Sequence, residues 1–597
     1  MESAPLEPFT SLTPELAERL REQTLNVLSY LVKTNSATTY FKESAVLPQF
    51  RAALHLTDGQ IDPLDFSATE LFEIYRNNVG LSIYEDYFPV ISRLFERPCN
   101  KSSVENLMAL GLPVFIAHSS GTSGGAAKYF PKYRHPEHMS RAMAETARLA
   151  NPQSNNAGKN CSLVSLVSLT YRQVVTPLDG DGDIVKHIPV CLVSSGCYRI
   201  ENNMPVENDA FSVTLKIPRY SSPIAVSLIS NYKSVLFMHA LFALAEPKLE
   251  TISTMFTTAC RDLCRTIDNR WEDLIHCIET GVIPDLNGIE TVKDNLQRFL
   301  QPNPDRAEEL RRIGKATDTP GWFRQIWPQL CVILANGSGP FATLIPEIRH
   351  YAGPDVSVQS VVIASSEAFL AVVYDPRDLN LYSVVGSDDV IEFLPVEKPE
   401  ESKYLAQSWN VELGRKYEVV LTTRDGFWRY RLGDVVEIAG FNPRDGQPLI
   451  RYIGRRHMYI RLANEVTTET QLRNVVDATS DLFGGVSEFC VSPDYRQVVS
   501  RYAFFVELQG DPGANISTVP TALHNQLQQH NENYLKDSQM GRIGVPCVRV
   551  VRPGTFGDYR GWKVAMKGAA AGQVKVAVVI WVEADRAWLE ERVMYDI

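Results

Sequence analysis

His118-Ser119-Ser120-Gly121-Thr122-Ser123-Gly124-Gly125-Ala126-Ala127-Lys128-Tyr129-Phe130-Pro131 is the stretch on which the reading of this chain turns. Its glycines let the backbone approach a ligand closely and adopt positive φ angles. Their amides, with the hydroxyls of Ser119, Ser120, Thr122 and Ser123, are donors suited to phosphate oxygens. Lys128 adds a cation. The spacing is not the G-x-x-x-x-G-K-[ST] of a P-loop. A flexible Ser/Gly linker is the plain alternative. The apolar run Gly111 to Ile116 on one side and the aromatics on the other favour a phosphate-binding loop.

Outward from the loop, two further segments carry chemistry. Val356 to Ala364 is rich in valine, ends in a continuous apolar run and reads as a buried strand. Ala364-Ser365-Ser366-Glu367 follows it directly. A carboxylate at the carboxyl edge of a strand lies where α/β sheets bind ligands. It is suited to a Mg²⁺ that bridges ATP phosphates, because Mg²⁺ takes one or two carboxylates plus phosphate oxygens. The competing reading is a helix cap, with Ser365 or Ser366 capping and Glu367 in the first turn. The other segment is Trp428-Arg429-Tyr430-Arg431-Leu432-Gly433-Asp434. An Asp ending such a turn can accept both ribose hydroxyls of a nucleotide. A surface salt-bridge cluster is the alternative.

The remaining pattern is that of an α/β chain. Thr13-Pro14-Glu15 starts a helix, with a capping hydroxyl and then proline, and its apolar face runs through about Lys33. Tyr232 to about Gly281 reads as helical, including Met255 and Phe256. Asn151 to Gly158 reads as an exposed connection. Strands are expected at Tyr417 to Thr423, Asp434 to Ala439 and Pro448 to Ile453, turned by Asp425-Gly426 and Asp445-Gly446. A helix is expected over Thr468 to Asp477 and a strong strand over Val574 to Val582.

At 597 residues the chain exceeds what one core supports, so at least two domains are expected. Its 44% hydrophobic and 22% charged residues are ordinary for a soluble globular protein. A net charge of -11 argues against a general nucleic-acid binder. The opening residues lack a basic segment followed by an apolar run, so no signal peptide is expected. The longest apolar stretch, Val235 to Ala245, is interrupted by His239. It is too short for a bilayer and reads as a buried helix. The 10 cysteines show no familiar metal spacing and read as buried free thiols, which fits a reducing cytosol.

The order of the three segments resembles the Gretchen Hagen 3 acyl-acid amido synthetases, the auxin-responsive promoter family within the adenylate-forming enzymes. The resemblance covers nearly the whole chain. It takes in Ser82-Ile-Tyr-Glu-Asp-Tyr87, Asn231-Tyr-Lys-Ser234, Trp271-Glu-Asp-Leu274, Trp327-Pro328, Glu392-Phe-Leu-Pro395, Tyr417-Glu-Val-Val-Leu-Thr-Thr423 and Gly554-Thr-Phe556.

That resemblance implies a firefly-luciferase-like α/β fold. Residues 1–455 would form a large ATP- and acid-binding domain, and residues 456–597 a small mobile C-terminal domain. It implies activation of a carboxylic acid as acyl-AMP and transfer of the acyl group to an amine, in particular an amino acid. Transfer to coenzyme A and a non-catalytic nucleotide-binding relative are the alternatives. Ser119, Ser120, Gly121, Thr122, Ser123, Gly124 and Lys128 match the phosphate loop. Ala364, Ser365, Ser366 and Glu367 match the adenine and Mg²⁺ segment, and Asp434 the ribose-binding acid. Lys575 resembles the lysine that reaches the phosphate and reacting carboxylate, and Arg455 lies in the hinge-like Gly454-Arg455-Arg456-His457. Ser338, Gly339 and Tyr351 fall where relatives contact the acid or nucleotide. In Leu462-Ala-Asn-Glu-Val-Thr467 the chain departs from the family, with Val466 where a lysine is expected. ATP, Mg²⁺, a cytoplasmic location, no membrane partner and a monomer are the accompanying expectations.

Overall fold

The computed structural model describes residues 7–54, 66–119, 128–133, 162–338, 342, 344–386, 388–456, 459–463, 465–497, 499–567 and 576–597. They divide into two compact units, the first ending at Tyr452 and the second starting at Ile453.

In the first unit the opening helix, Pro14–Asn35, starts as its sequence dictates. Thr13 accepts from the Leu16 amide at 3.3 Å, and Leu20, Leu25, Leu28 and Leu31 are buried. Tyr232–Ala245 is a helix capped by Asn231 and apolar on nearly every side, so it is buried all round. It packs with a four-stranded sheet in the order Ser162–Ser165, Leu249–Phe256, Val332–Asn336, Ser357–Gln359, every pair parallel. The expectation of unbroken helix over Tyr232 to Gly281 is therefore corrected. Leu249–Phe256 is an inner strand of that sheet, and helices Thr257–Asn269 and Trp271–Thr280 follow it. Thr251, Ile252 and Thr254 are β-branched and suit a strand better than a helix.

The part of the chain carrying the three segments singled out above is mostly antiparallel. Eight strands run in the order Ala406–Gln407, Val390–Pro395, Lys416–Thr422, Tyr430–Phe441, Pro448–Arg455, Tyr382–Val384, Phe369–Val373, Val362–Ala364. A smaller sheet has the order Tyr129–Lys132, Phe115–His118, Ile188–Cys191, Tyr171–Val175. One apolar core containing Phe115, Phe130, Tyr87, Phe427, Trp428 and Val419 joins the two sheets. The single strand expected over Val356 to Ala364 is two strands in two different sheets. The break is built from side chains. Asn336 Oδ1 accepts from the Val361 and Val362 amides at 3.1 and 3.3 Å, and Ser360 Oγ accepts from the Gly337 amide at 3.1 Å.

In the second unit a sheet of order Val486–Asp494, Arg501–Leu508, Cys547–Val551, Val593–Asp596 carries apolar clusters made of alternate residues of its strands. Helix Glu469–Phe483 begins at a capping box of Thr468 and Gln471, with Thr468 accepting from the Gln471 amide at 3.3 Å. The strong strand expected over Val574 to Val582 is not present among the described residues. Residues 578–580 make only an isolated bridge to Val491. Nine free cysteines are described, all buried except the half-buried Cys331. Among the described residues no helix is long and apolar enough to cross a membrane. Asn151 to Gly158 lies outside the described residues.

Candidate functional site

The strands Phe115–His118 and Tyr129–Lys132 form an antiparallel pair whose connection is the glycine-rich loop. Ser119 and Lys128 close its neck. The Ser119 amide donates to the Lys128 carbonyl at 2.9 Å, and the Lys128 amide donates to Ser119 Oγ at 3.1 Å. The Lys128 ammonium lies 5.1 Å from the centre of the Tyr84 ring, and the Tyr84 hydroxyl accepts from the Tyr129 amide at 2.8 Å. Ser120, Gly121, Thr122, Ser123 and Gly124 lie outside the described residues, as do Gly339 and Lys575.

Ser365 to Ala368 is a tight turn between Val362–Ala364 and Phe369–Val373. Ser365 Oγ accepts from the Glu367 and Ala368 amides, each at 3.2 Å. No helix starts there, so the helix-cap reading is excluded. Ser366 Oγ donates to the His118 carbonyl at 3.3 Å, which places the turn against the neck of the glycine-rich loop. The Glu367 carboxylate is buried at 8% exposure, and the Tyr430 hydroxyl donates to it at 3.4 Å. Tyr430 belongs to the third segment, so the turn touches both other segments.

Trp428 to Asp434 is not a surface cluster. Arg429 and Glu392 are a fully buried pair, with Nε donating to Oε2 at 2.9 Å and Nη2 to Oε1 at 3.0 Å. The Tyr75 hydroxyl donates to the same carboxylate at 2.6 Å, and Gln407 Nε2 at 2.7 Å. Burial alone would raise the Glu392 pKa; the Arg429 charge and these donors more than offset it and hold it low. Arg429 has φ +45, a region costly for an arginine and kept here by its many partners. Ser82 Oγ donates to the Trp428 carbonyl at 2.7 Å, and the Trp428 amide donates to the Tyr87 hydroxyl at 2.8 Å. This gives Ser82-Ile-Tyr-Glu-Asp-Tyr87 a physical role: it clamps the chain entering Tyr430.

Asp434 is buried in the strand Tyr430–Phe441. Between the partners Glu418↔Val435 and Val420↔Arg431 the register shifts, so Leu432, Gly433 and Asp434 bulge opposite Val419. Gly433 has φ +80, which a side chain would resist. Bulges of this kind re-aim side chains beside binding sites.

Other expected residues are placed elsewhere. Ser338 lies beside the buried Tyr382 hydroxyl. Tyr351, on helix Ile345–Ala352, stacks on Phe323 at 5.8 Å between ring centres and also meets Trp322. Among the described residues neither is joined to the three segments by a contact described above. Arg455 ends the strand Pro448–Arg455 in the second unit. Glu465, fully buried in that unit, accepts from the Leu462 and Ala463 amides at 2.6 and 2.8 Å and from the Tyr502 hydroxyl at 2.9 Å. Val466 is 39% exposed.

Sequence reasoning missed the Lys132–Asp425 pair, and it quoted Arg429 and Glu392 in separate segments without joining them as a buried pair. Lys132 pairs with Asp425 across 293 residues of sequence, and no local pattern marks such a partner. Burial, followed by the charge of Arg172, holds the His118 pKa down at about 4, so the residue at the loop entrance is neutral at neutral pH. A histidine lowered below its unfolded value of about 6.5 gives its full stabilisation above that pH and loses it as pH falls toward 4. His118→Asn should therefore flatten the fall in stability between pH 6.5 and 4.5 by on the order of 2 kcal/mol. Urea midpoints at the two pH values measure this; an unchanged slope would refute it.

Compared with known proteins, residues 13–357 match the GH3 family N-terminal domain, residues 383–455 its central domain and residues 470–582 its C-terminal domain. The chain belongs to the GH3 family. Among curated members, it is 25% identical over 526 residues to "Jasmonoyl--L-amino acid synthetase GH3.5" of Oryza sativa subsp. japonica, covering 84% of this chain and 85% of that one. It is 24% identical over 578 residues to "Putative indole-3-acetic acid-amido synthetase GH3.9" of Arabidopsis thaliana, covering 92% and 89%. Among solved structures, "GH3.15 acyl acid amido synthetase" superposes with a TM-score of 0.76 at 20% identity, covering 98% of this chain and 96% of that one. This GH3 chain thus has the α/β fold expected from its sequence, and the GH3 relatives it matches are named as jasmonoyl–amino acid synthetases and indole-3-acetic acid-amido synthetases.

A Mg²⁺ fits the donors present in this GH3 site. Among the described residues no group of three or more His, Cys, Asp or Glu is placed to hold a metal alone. The buried Glu367 carboxylate, with one long hydrogen bond from Tyr430, offers the single protein ligand that a phosphate-borne Mg²⁺ uses.

Proposed function

We propose that this chain uses ATP to activate a carboxylic acid as an acyl-adenylate and then transfers the acyl group to an amine, an amino acid, forming an amide. The observation that carries the reading is the convergence of three segments far apart in sequence. The phosphate-loop neck, the Glu367 turn and Tyr430 are linked by the Ser366–His118 and Tyr430–Glu367 hydrogen bonds. Family membership supplies the reaction class.

In the first step a carboxylate oxygen bonds to the α-phosphorus of ATP while the bond to the β-phosphate oxygen breaks, releasing pyrophosphate. The neutral amine nitrogen then bonds to the acyl carbon, the bond to the AMP oxygen breaks, and the amine proton is lost to solvent. In the proposed assignment Ser119, Ser120, Gly121, Thr122, Ser123, Gly124 and Lys128 bind phosphate. Ala364, Ser365 and Ser366 border the adenine, Asp434 accepts the ribose hydroxyls, and Ser338, Gly339 and Tyr351 border the acid or nucleotide. Lys575 contacts the reacting carboxylate, and Arg455 belongs to the nucleotide site from the hinge. Mg²⁺ held by Glu367 would neutralise charge on the phosphates. Fixed donors of this kind stabilise developing charge without reorganising. We assign residues 1–455 to ATP and acid binding and 456–597 to a small mobile domain, in a cytoplasmic monomer.

The test is carboxylate-dependent exchange of pyrophosphate into ATP, run across a panel of aryl, indole and aliphatic acids. No exchange and no ATP binding would defeat the reading. Mass spectrometry of products formed with amino acids or with coenzyme A then separates amide from thioester formation. Lys575→Ala should slow exchange by about tenfold to a hundredfold, the worth of one charge-assisted hydrogen bond in the transition state. Unchanged exchange would remove Lys575 from its assigned role.

A further inference from the structure

Lys132 and Asp425 form a buried pair, 6% and 5% exposed, with Nζ donating to Asp425 Oδ2 at 3.1 Å. The same ammonium donates to the main-chain carbonyl of Glu367. Asp425 Oδ1 accepts from the Tyr133 amide at 2.9 Å. Asp425-Gly426 is the turn that leads into Phe427 and Tyr430. Gly426 has φ +92, and a Cβ there would lie 2.0 Å from the Met108 carbonyl oxygen, so only glycine fits this close approach.

One ammonium therefore ties together the strand Tyr129–Lys132, the turn that presents Glu367, and the turn that leads to Tyr430. Lys128 and Lys132 flank that short strand, one at the loop neck and one at the Glu367 carbonyl. For stability alone an apolar pair of similar volume would serve as well as a buried ion pair. An ammonium on the Glu367 carbonyl does something an apolar pair cannot: it fixes the orientation of the peptide group that follows Glu367.

We propose that Lys132 is a positioning residue for adenylation, holding the Glu367 carboxylate in register with the phosphate loop so that the cation and the triphosphate are bound together. This rests on the adenylation reading above. Loss of an outer support of this kind costs about tenfold to a hundredfold in metal affinity or activity.

The experiment uses the full-length chain and follows, against free Mg²⁺, both the equilibrium binding of ATP by titration calorimetry and ATP–pyrophosphate exchange with the best acid from the panel. The K132M/D425N variant removes both charges at nearly constant volume. The Mg²⁺ concentration for half activity should rise about tenfold to a hundredfold. The Mg²⁺ dependence of binding should shift together with that of exchange, and a shift in exchange alone would overturn the proposal. Half-saturation by ATP at excess Mg²⁺ should rise less than about threefold. Lys132→Arg keeps the charge and should bring the Mg²⁺ dependence back toward that of the wild type. An unchanged Mg²⁺ dependence, an equal rise in both constants, or identical behaviour of the arginine variant and the double variant would overturn the proposal. Failure of the double variant to fold would also overturn it, assigning the pair to stability instead. A wild-type chain inactive with every acid would defeat the adenylation reading itself, a separate and earlier result.

Discussion

Glu367→Gln should lower carboxylate-dependent exchange of pyrophosphate into ATP by roughly a hundredfold to a thousandfold, the range for removing one preorganised electrostatic stabiliser. The replacement keeps the shape of the side chain and an oxygen able to accept from the Tyr430 hydroxyl, now at 3.4 Å. The turn is held independently, by Ser365 Oγ accepting from the amides of residues 367 and 368. The charge is thus removed while its frame remains, and the urea midpoint should stay within experimental error of the wild type. A fall of less than about threefold would show that no cation important to catalysis sits on this carboxylate.

Glu392→Met carries the largest expected effect on stability. The side chain has no solvent exposure, and it is the shared acceptor of Arg429, Tyr75 and Gln407. Removing it leaves the Arg429 guanidinium buried without its counter-charge, a loss of roughly 3–5 kcal/mol. Urea unfolding followed by tryptophan fluorescence should report this, since Trp428 adjoins the network. E392M/R429M should recover only part of the loss, because Arg429 also donates to the carbonyls of Arg76 and Val79. A single-variant loss under about 1 kcal/mol would refute the account. The pH dependence has a definite sign. The Glu392 pKa is held below its ordinary value of 4.5, so its contribution is complete above that pH and is lost as pH falls through the folded value. E392M should therefore lose less stability than the wild type on acidification below about pH 4.5.

Much of the chemistry was legible in local patterns. The Ser/Gly loop, the Ser-Ser-Glu turn and the Tyr-Arg-Leu-Gly-Asp segment are each short, and each states its chemistry through residue type. Helix starts were legible for the same reason: Thr13-Pro14 and Thr468 are local capping signals and behave as such. Patterns failed where the sheet decided. Leu249–Phe256 reads as helix because its flanks are helical, whereas its burial comes from neighbours on both sides in a parallel sheet. Val356 to Ala364 reads as one strand because apolar periodicity does not record a change of sheet. The change is made by Asn336 and Ser360, whose partners are set by tertiary packing.

By itself the sequence determined the class of this protein. Ser119 to Gly125, Ser365 to Glu367 and Tyr430 to Asp434 bring the donors, the acid and the bulge-forming glycine within short runs of residues, and such runs are readable without a fold. The phosphate-binding role proposed for the loop rests on residue types legible at that level. Only the tertiary structure decided how its neck is held. Ser119 is closed onto Lys128, Ser366 rests on the His118 carbonyl, and Lys132 reaches the Glu367 carbonyl from 235 residues away in sequence. These contacts join groups that are distant along the chain, and one sequence carries no record of which distant charge will pair with which. Pairing is selected by the low dielectric of the shared core, where a buried Lys132 or Arg429 is tolerated only beside its own carboxylate.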